Sequence, residues 1–190
     1  MKSLNQYIKE KLIINKDYRD AKIAVKSLDE LLKIIEDRYN KLGPGTEQNP
    51  IDFNDIDVSN IDSFYSNTYY RGLFEGTTFK YIDISDWDVS NIKSMRCMFF
   101  RCEALKSVGD ISGWNVLKVT DMSYMFAFCK KFNQDLSKWD VSNVTNMYCM
   151  FDECKSFNQD LSCWNVSNVT IQYGIFYHCP IKNEYKPKFK

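Results

Sequence analysis

The chain has 190 residues, 44% of them apolar, with 25 acidic and 25 basic side chains. That length buries a sizeable core in one domain, with or without an appendage, and 13 Phe, 12 Tyr and 4 Trp exclude disorder over most of it. Residues 43–181 carry 11 basic against 17 acidic groups, an acidic body at odds with the basic face of a general nucleic-acid binder, and no apolar run approaches the roughly 18 residues of a membrane span.

In chain order, residues 1–20 are amphipathic and charged. Leu4, Ile8 and Leu12, spaced by four, predict a helix over about 3–16. The stretch lacks the apolar run and small-residue cleavage site of a secretory signal. The expected location is therefore the cytoplasm or a virion, ahead of the cell surface. Ser27 followed by Glu30 is a capping-box pattern. Leu28, Leu31, Leu32, Ile34 and Ile35 predict a second helix to about Leu42, stopped by Gly43-Pro44-Gly45. Residues 1–45 read as an N-terminal helical segment that caps the repeats after it, and residues 46–50 as a linker.

From residue 51 to residue 181 the chain repeats. Trp87, Trp114, Trp139 and Trp164 are spaced 27, 25 and 25 apart. Cys102, Cys129, Cys154 and Cys179 keep the same spacing, as do Phe99, Phe126, Phe151 and Phe176. Three residue types in one register mark a true repeat, with a period in the range of solenoids. The shared pattern is W-[DN]-V-x-x-[VI]-x-x-M-x-x-M-F-x-x-C-x-x-[FL], closing on D-[LI]-S. A degenerate unit leads the array: residues 57–61 match the next unit's DVSNI, and Leu73-Phe74 match Met98-Phe99.

Within a unit, Leu136 to Val141 is β-branched, aromatic and partly alternating, which predicts a short strand. Ser142, Asn143, Thr145 and Asn146 supply turn and cap formers. Met147, Met150, Phe151 and Cys154 then fall at i, i+3, i+4 and i+7, the stripe of a short helix. One strand and one short helix per unit is leucine-rich-repeat geometry, in which stacking neighbours build one core. The expected fold is thus an α/β repeat, a leucine-rich-repeat-like solenoid of short parallel strands and short helices preceded by N-terminal helices. Residues 182–190, with Lys182, Lys186, Lys188 and Lys190, form a basic tail that is either a solvated terminus or a contact for an anionic partner.

The string FNQDLSKWDVSNVTNMYCMFDECKSFNQDLSCWNVSNVT resembles the repeat of the BspA-like leucine-rich-repeat surface proteins, over about residues 80–181. The resemblance implies a right-handed solenoid used for attachment or protein binding, with no catalytic residues to carry over. Many members are exported, whereas this chain shows no export signal. The start, Met1 to Glu10, is similar to the capsid-targeting leaders of T4-like phage internal head proteins. Ile8-Lys9-Glu10 matches their hydrophobic-x-Glu processing site.

Candidate chemistry is sparse. The one histidine, His178, precedes Cys179, but adjacent residues of a helix point in different directions and make a poor catalytic pair. Four of the seven cysteines form a one-per-unit ladder of small buried apolar groups spaced too far apart to bridge, and no C-x₂-C occurs, so zinc is not expected, while pairing of any cysteines stays open. Asp88, Asp135, Asp140 and Asp160 recur with the repeat. They suit capping of turn amides better than calcium. The Asn143, Asn165 and Asn168 sequons are by-products of the turn motif. No metal, cofactor or catalytic residue is assigned.

Two readings stay open. The first is a monomeric, non-catalytic module binding a protein or glycan on the exposed strand positions Ser85, Asp86, Asp88, Lys138, Asp140 and Asn165. The second is an internal or virion-associated phage protein directed by its leader. An enzyme is not expected, because no clustered acid–base set exists.

Overall fold

The computed structural model describes residues 22–189. The predicted helix over 3–16 and the leader-like residues 1–10 lie outside that range. Strand β1, Ile23–Ala24, pairs in parallel with β3, Ile56–Asp57. Helix α1, Leu28–Leu42, comes after β1 and has the expected bounds. The Ser27 hydroxyl accepts from the Glu30 amide at 3.2 Å, the Glu30 carboxylate accepts from the Lys26 amide at 2.9 Å, and Gly43 ends the helix at φ 73°. Leu31 and Ile35 are the buried residues of α1.

Strand β2, Ile51–Asp52, pairs in parallel with β6, Ile82–Asp83. The segment between them folds as the antiparallel hairpin β4, Tyr65–Ser66, with β5, Arg71–Gly72. A single 3₁₀ turn, Asn183–Tyr185, lies near the C-terminus.

The α/β solenoid expected from the repeats is not what forms. Among the described residues the strands are two residues long and make three separate two-stranded sheets, α1 is the one α-helix, and most of the chain is turn and coil. The predicted strand at Leu136 to Val141 is a pair of turns instead. The Trp139 amide bonds the Leu136 carbonyl at 3.1 Å, and the Val144 amide bonds the Val141 carbonyl at 3.0 Å. Parallel pairing falls elsewhere, one residue per unit, along Ser63, Ser94, Asp121, Asn146 and Ile171.

The predicted helices are tandem turns. Between Met95 and Cys102, the amides of Met98, Phe100 and Cys102 close locally on the carbonyls three residues back, at 3.0–3.2 Å. The alternate amides of Met95, Cys97, Phe99 and Arg101 leave the unit and bond Asp121, Ser123, Met125 and Ala127 at 2.9–3.0 Å. An α-helix would have sent them all to residue i−4. The third residue of each turn has positive φ, as at Cys97 (54°), Arg101 (59°), Tyr124 (57°) and Phe128 (64°). Two four-residue turns in tandem place positions 1, 4, 5 and 8 on one side, so the apolar stripe is helical in spacing without a helix.

The sets that recur in sequence fill one continuous core from Val25 to Ile181. Phe74, Phe99, Phe126, Phe151 and Phe176 stack at centroid spacings of 5.4–5.7 Å. The indole N–H groups of Trp139 and Trp164 donate to the Ile111 and Leu136 carbonyls of the preceding unit at 2.9 and 3.0 Å. The thiols of Cys102, Cys129 and Cys154 donate to the Phe74, Phe99 and Phe126 carbonyls at 2.9–3.0 Å. Cysteine at this position both fills a small apolar space and supplies a donor.

Candidate functional site: the aromatic face of the tandem turns

In the pattern M-x-x-M-F-x-x-C, the Met, Phe and Cys side chains point into the core. The four x positions are the second and third residues of the two turns and carry the exposed and half-buried side chains of this face, although Cys97, Ser123, Ala127 and Cys149 among them are buried. Between units, bonds such as Phe126 amide to Met150 carbonyl, 3.0 Å, hold these positions in columns. The columns read Arg96, Ser123, Tyr148, Tyr173; Cys97, Tyr124, Cys149, Gly174; Phe100, Ala127, Asp152, Tyr177; and Arg101, Phe128, Glu153, His178.

Their rings form a continuous strip. Phe100 meets Tyr124 at 5.6 Å and Phe128 at 5.8 Å, Tyr124 meets Tyr148 at 5.2 Å, and Tyr148 meets Tyr173 at 5.9 Å. The strip continues through Tyr177, 5.8 Å from Tyr173, to His178. The Arg101 guanidinium lies 5.2 Å from the Phe100 centroid and 5.8 Å from that of Phe128, and Arg96 lies 5.0 Å from that of Tyr65. Exposure rises toward the C-terminal end, where Tyr173 is 64% and Tyr177 52% exposed.

An acidic group sits at that end. The His178 Nδ1 is 2.8 Å from Glu153 and 3.9 Å from Asp152. Burial and the neighbouring Glu153 charge push the Asp152 carboxyl up, whereas Lys155, 2.7 Å away, holds Glu153 down. The ligand atoms of Asp152, Glu153 and His178 lie within 4.8 Å of one another, a set that could hold a cation. Lys155 already occupies one Glu153 oxygen, so the set stands as a network of polar contacts among surface side chains.

The six positions read from sequence as a binding face lie elsewhere. Asp86, Asp88, Lys138, Asp140 and Asn165 are exposed and Ser85 is half-buried. Ser85 and Asp86 line a polar cleft with Lys22 and Asn54, apart from the others. Asp88, Asp140 and Asn165 accept from the amides of Ser90, Ser142 and Ser167 at 3.0–3.2 Å. Bonds from the Ser90 and Ser142 hydroxyls and amides hold the Asp88 and Asp140 carboxyls below their usual range. These side chains cap turns on polypeptide rather than strands, so the face has less free hydrogen-bonding capacity than expected.

Asp135 and Asp160 cap Ser137 and Ser162 in the same way, at 2.8 and 2.9 Å. Asn143 and Asn168 donate to the Leu117 and Ser142 carbonyls one unit back at 2.8 and 2.7 Å. His178 and Cys179 go to different partners, since the Cys179 thiol donates to the Phe157 carbonyl at 3.4 Å. The aromatic strip was present in the sequence as the positions that differ between otherwise matching units. Reading the segment as helix hid their common direction.

The model of a family described as Mycoplasma protein of unknown function, DUF285, matches residues 68–188. The chain belongs to this family. The DUF285 match runs from the β4–β5 hairpin to the C-terminal segment and includes the aromatic strip. Its description names neither leucine-rich repeats nor BspA-like proteins. No curated protein and no solved structure matches the chain. Among the described residues, no helix is long and apolar enough to cross a membrane.

Proposed function

We propose that the protein is a non-catalytic interaction module that binds another protein on the aromatic strip. One observation carries this reading. The positions that differ from unit to unit, while the scaffold around them repeats, gather on a single face rich in Tyr, Phe and Arg. Those residue types dominate binding energy at protein interfaces, because large rings bury much area at little entropic cost. Phe100, Tyr124, Phe128 and Tyr148 meet edge to face, which presents edges and ridges suited to a protein surface more than the open flat rings that sugars stack on. Arg96 and Arg101 lie toward one end and Asp152 and Glu153 toward the other, which gives a partner a preferred direction.

The likeness to BspA-like repeats points to the same class of role. The virion-associated alternative rests on residues 1–10, and nothing in the described residues favours it.

Site-specific photocrosslinking tests the reading. A benzoylphenylalanine at Tyr148 or Tyr173 is expected to trap a discrete partner in the native host, whereas one at Lys138 or Asn165 traps none. Tyr148→Ala is then expected to weaken binding of that partner by about 2 kcal/mol. Crosslinks at Lys138 and Asn165 but not on the strip would move the site to the capped turns. Capture of glycan alone would replace the protein partner.

A further inference from the structure

The hydrogen bonds joining successive tandem turns share one direction. Met147, Cys149, Phe151 and Glu153 donate to Ile171, Tyr173, Ile175 and Tyr177 of the next unit at 2.8–3.0 Å, as their counterparts do in earlier units. The final unit has no successor among the described residues. The amides of Gln172, Gly174, Phe176 and His178 find no acceptor there, while those of Ile175, Tyr177 and Cys179 close local turns at 3.1–3.3 Å.

The edge therefore offers a row of donors at every second residue. Aligned peptide dipoles behind it leave it partly positive, by the same reasoning that gives a helix its positive end. Beside the row, the C-terminal segment covers other parts of the layer: the Leu161 amide bonds the Tyr185 carbonyl at 2.8 Å, and the Lys182 amide bonds Asn158 at 3.0 Å. At the row itself that segment places the Lys186 ammonium, 6.0 Å from the Phe176 ring centroid. The nearby anion Glu153 is already paired with His178 and Lys155.

We propose that this end docks an acidic, extended segment of a partner protein. The segment's carbonyl and carboxylate oxygens accept from the four amides, in the manner of strand addition to an open sheet edge. Lys182 and Lys186 match its charge. A second copy of this chain does not fit. Two such ends would set donors against donors, and at the leading end of the array α1 packs against β4. The proposal does not rest on the aromatic strip, although the strip's last residue, His178, contributes one of the four amides.

The test titrates the ¹⁵N-labelled full chain with poly-glutamate peptide. Expected are shifts centred on the amides of 172, 174, 176 and 178, slower hydrogen exchange at those four, and severalfold weakening at raised salt. Lys186→Glu is expected to weaken binding about tenfold, and Tyr148→Ala to leave it unchanged. Shifts centred elsewhere overturn the proposal, as does equal binding of a Gly-Ser peptide. If inorganic phosphate alone reproduces the full effect, the edge is a small-anion site and the docked segment is withdrawn. Because the amides are read directly in the wild-type chain, a variant that fails to fold does not decide the outcome.

Discussion

At the scale of single residues, the repeat is written in hydrogen bonds that side chains make to backbone. The core thiols illustrate the energetic consequence. Burial pushes Cys102 up to about 12 and Cys97 up to about 11, and it drives Cys129 and Cys154 well above their ordinary range. Raised pKa values mean that the folded state keeps protons the unfolded chain has lost. The resulting stability is complete below the unfolded value of 9.0 and is lost progressively as pH rises toward about 12. Thermal unfolding is expected to show a midpoint that falls between pH 9 and pH 11, with the fall reduced in Cys102→Ala. Ellman's reagent is expected to label Cys163, the exposed thiol, in the folded chain and to reach Cys102, Cys129 and Cys154 only on unfolding. The caps behave oppositely with pH. Asp57, Asp88, Asp135 and Asp140 are held down by bonds from the serine two residues on, so their contribution is present above the ordinary carboxylate range and is lost as pH falls through it. Asp140→Ala is expected to cost about 1 kcal/mol. Asp140→Asn should cost little, since Asn115 and Asn165 accept from Leu117 and Ser167 at the same register. Chemical denaturation of the two variants checks both.

At the scale of elements, much was legible in the sequence and one substitution of form was not. The capping box and Gly43 located α1 at its observed bounds, because both signals act within a few residues. The apolar stripe of Met147, Met150, Phe151 and Cys154 correctly identified what is buried. It misled about the backbone, because two turns in tandem share the spacing of a short helix. What separates them is the destination of alternate amides, and that depends on neighbouring units rather than on local propensity. Positive φ at Cys97, Tyr124, Cys149 and Glu153 gave no warning, since such residues seldom adopt it. Gly76, at φ 69°, and Gly174, at φ 70°, advertise the conformation. Gly174→Ala is expected to destabilise by about 1–2 kcal/mol, as its Cβ would also stand 2.8 Å from the Cys149 sulfur. Far-UV circular dichroism distinguishes the two forms directly. Turn-dominated ellipticity with a modest helical component from α1 is expected, and strong minima at helical wavelengths would contradict the tandem turns.

At the scale of the whole molecule, the ladders make stability depend on position. Phe126 is fully buried between Phe99 and Phe151 and against Phe132, 4.3 Å away. Phe176, at the end, stacks on Phe151 and is half-buried. Phe126→Ala is expected to cost about 4 kcal/mol, and Phe176→Ala roughly half of that, measured by denaturant midpoints. The aromatic strip belongs to this scale too, since no single unit contains it. It emerges only when outward positions of four units are laid side by side, which is why motif reading within one unit passed it over. The 87–113 unit is two residues longer than the later full units. Its surplus meets Gln134, which accepts from the Val108 amide at 2.9 Å and donates to the Gly109 carbonyl at 2.7 Å. Gly109 itself sits where a Cβ would lie 2.3 Å from the Asp83 carboxylate. The two units ending in FNQDLS are nearly interchangeable, so a folding chain that skipped one would satisfy most of the same partners. The irregular junction has no counterpart between the later units, so it marks one fixed place in an otherwise self-similar ladder.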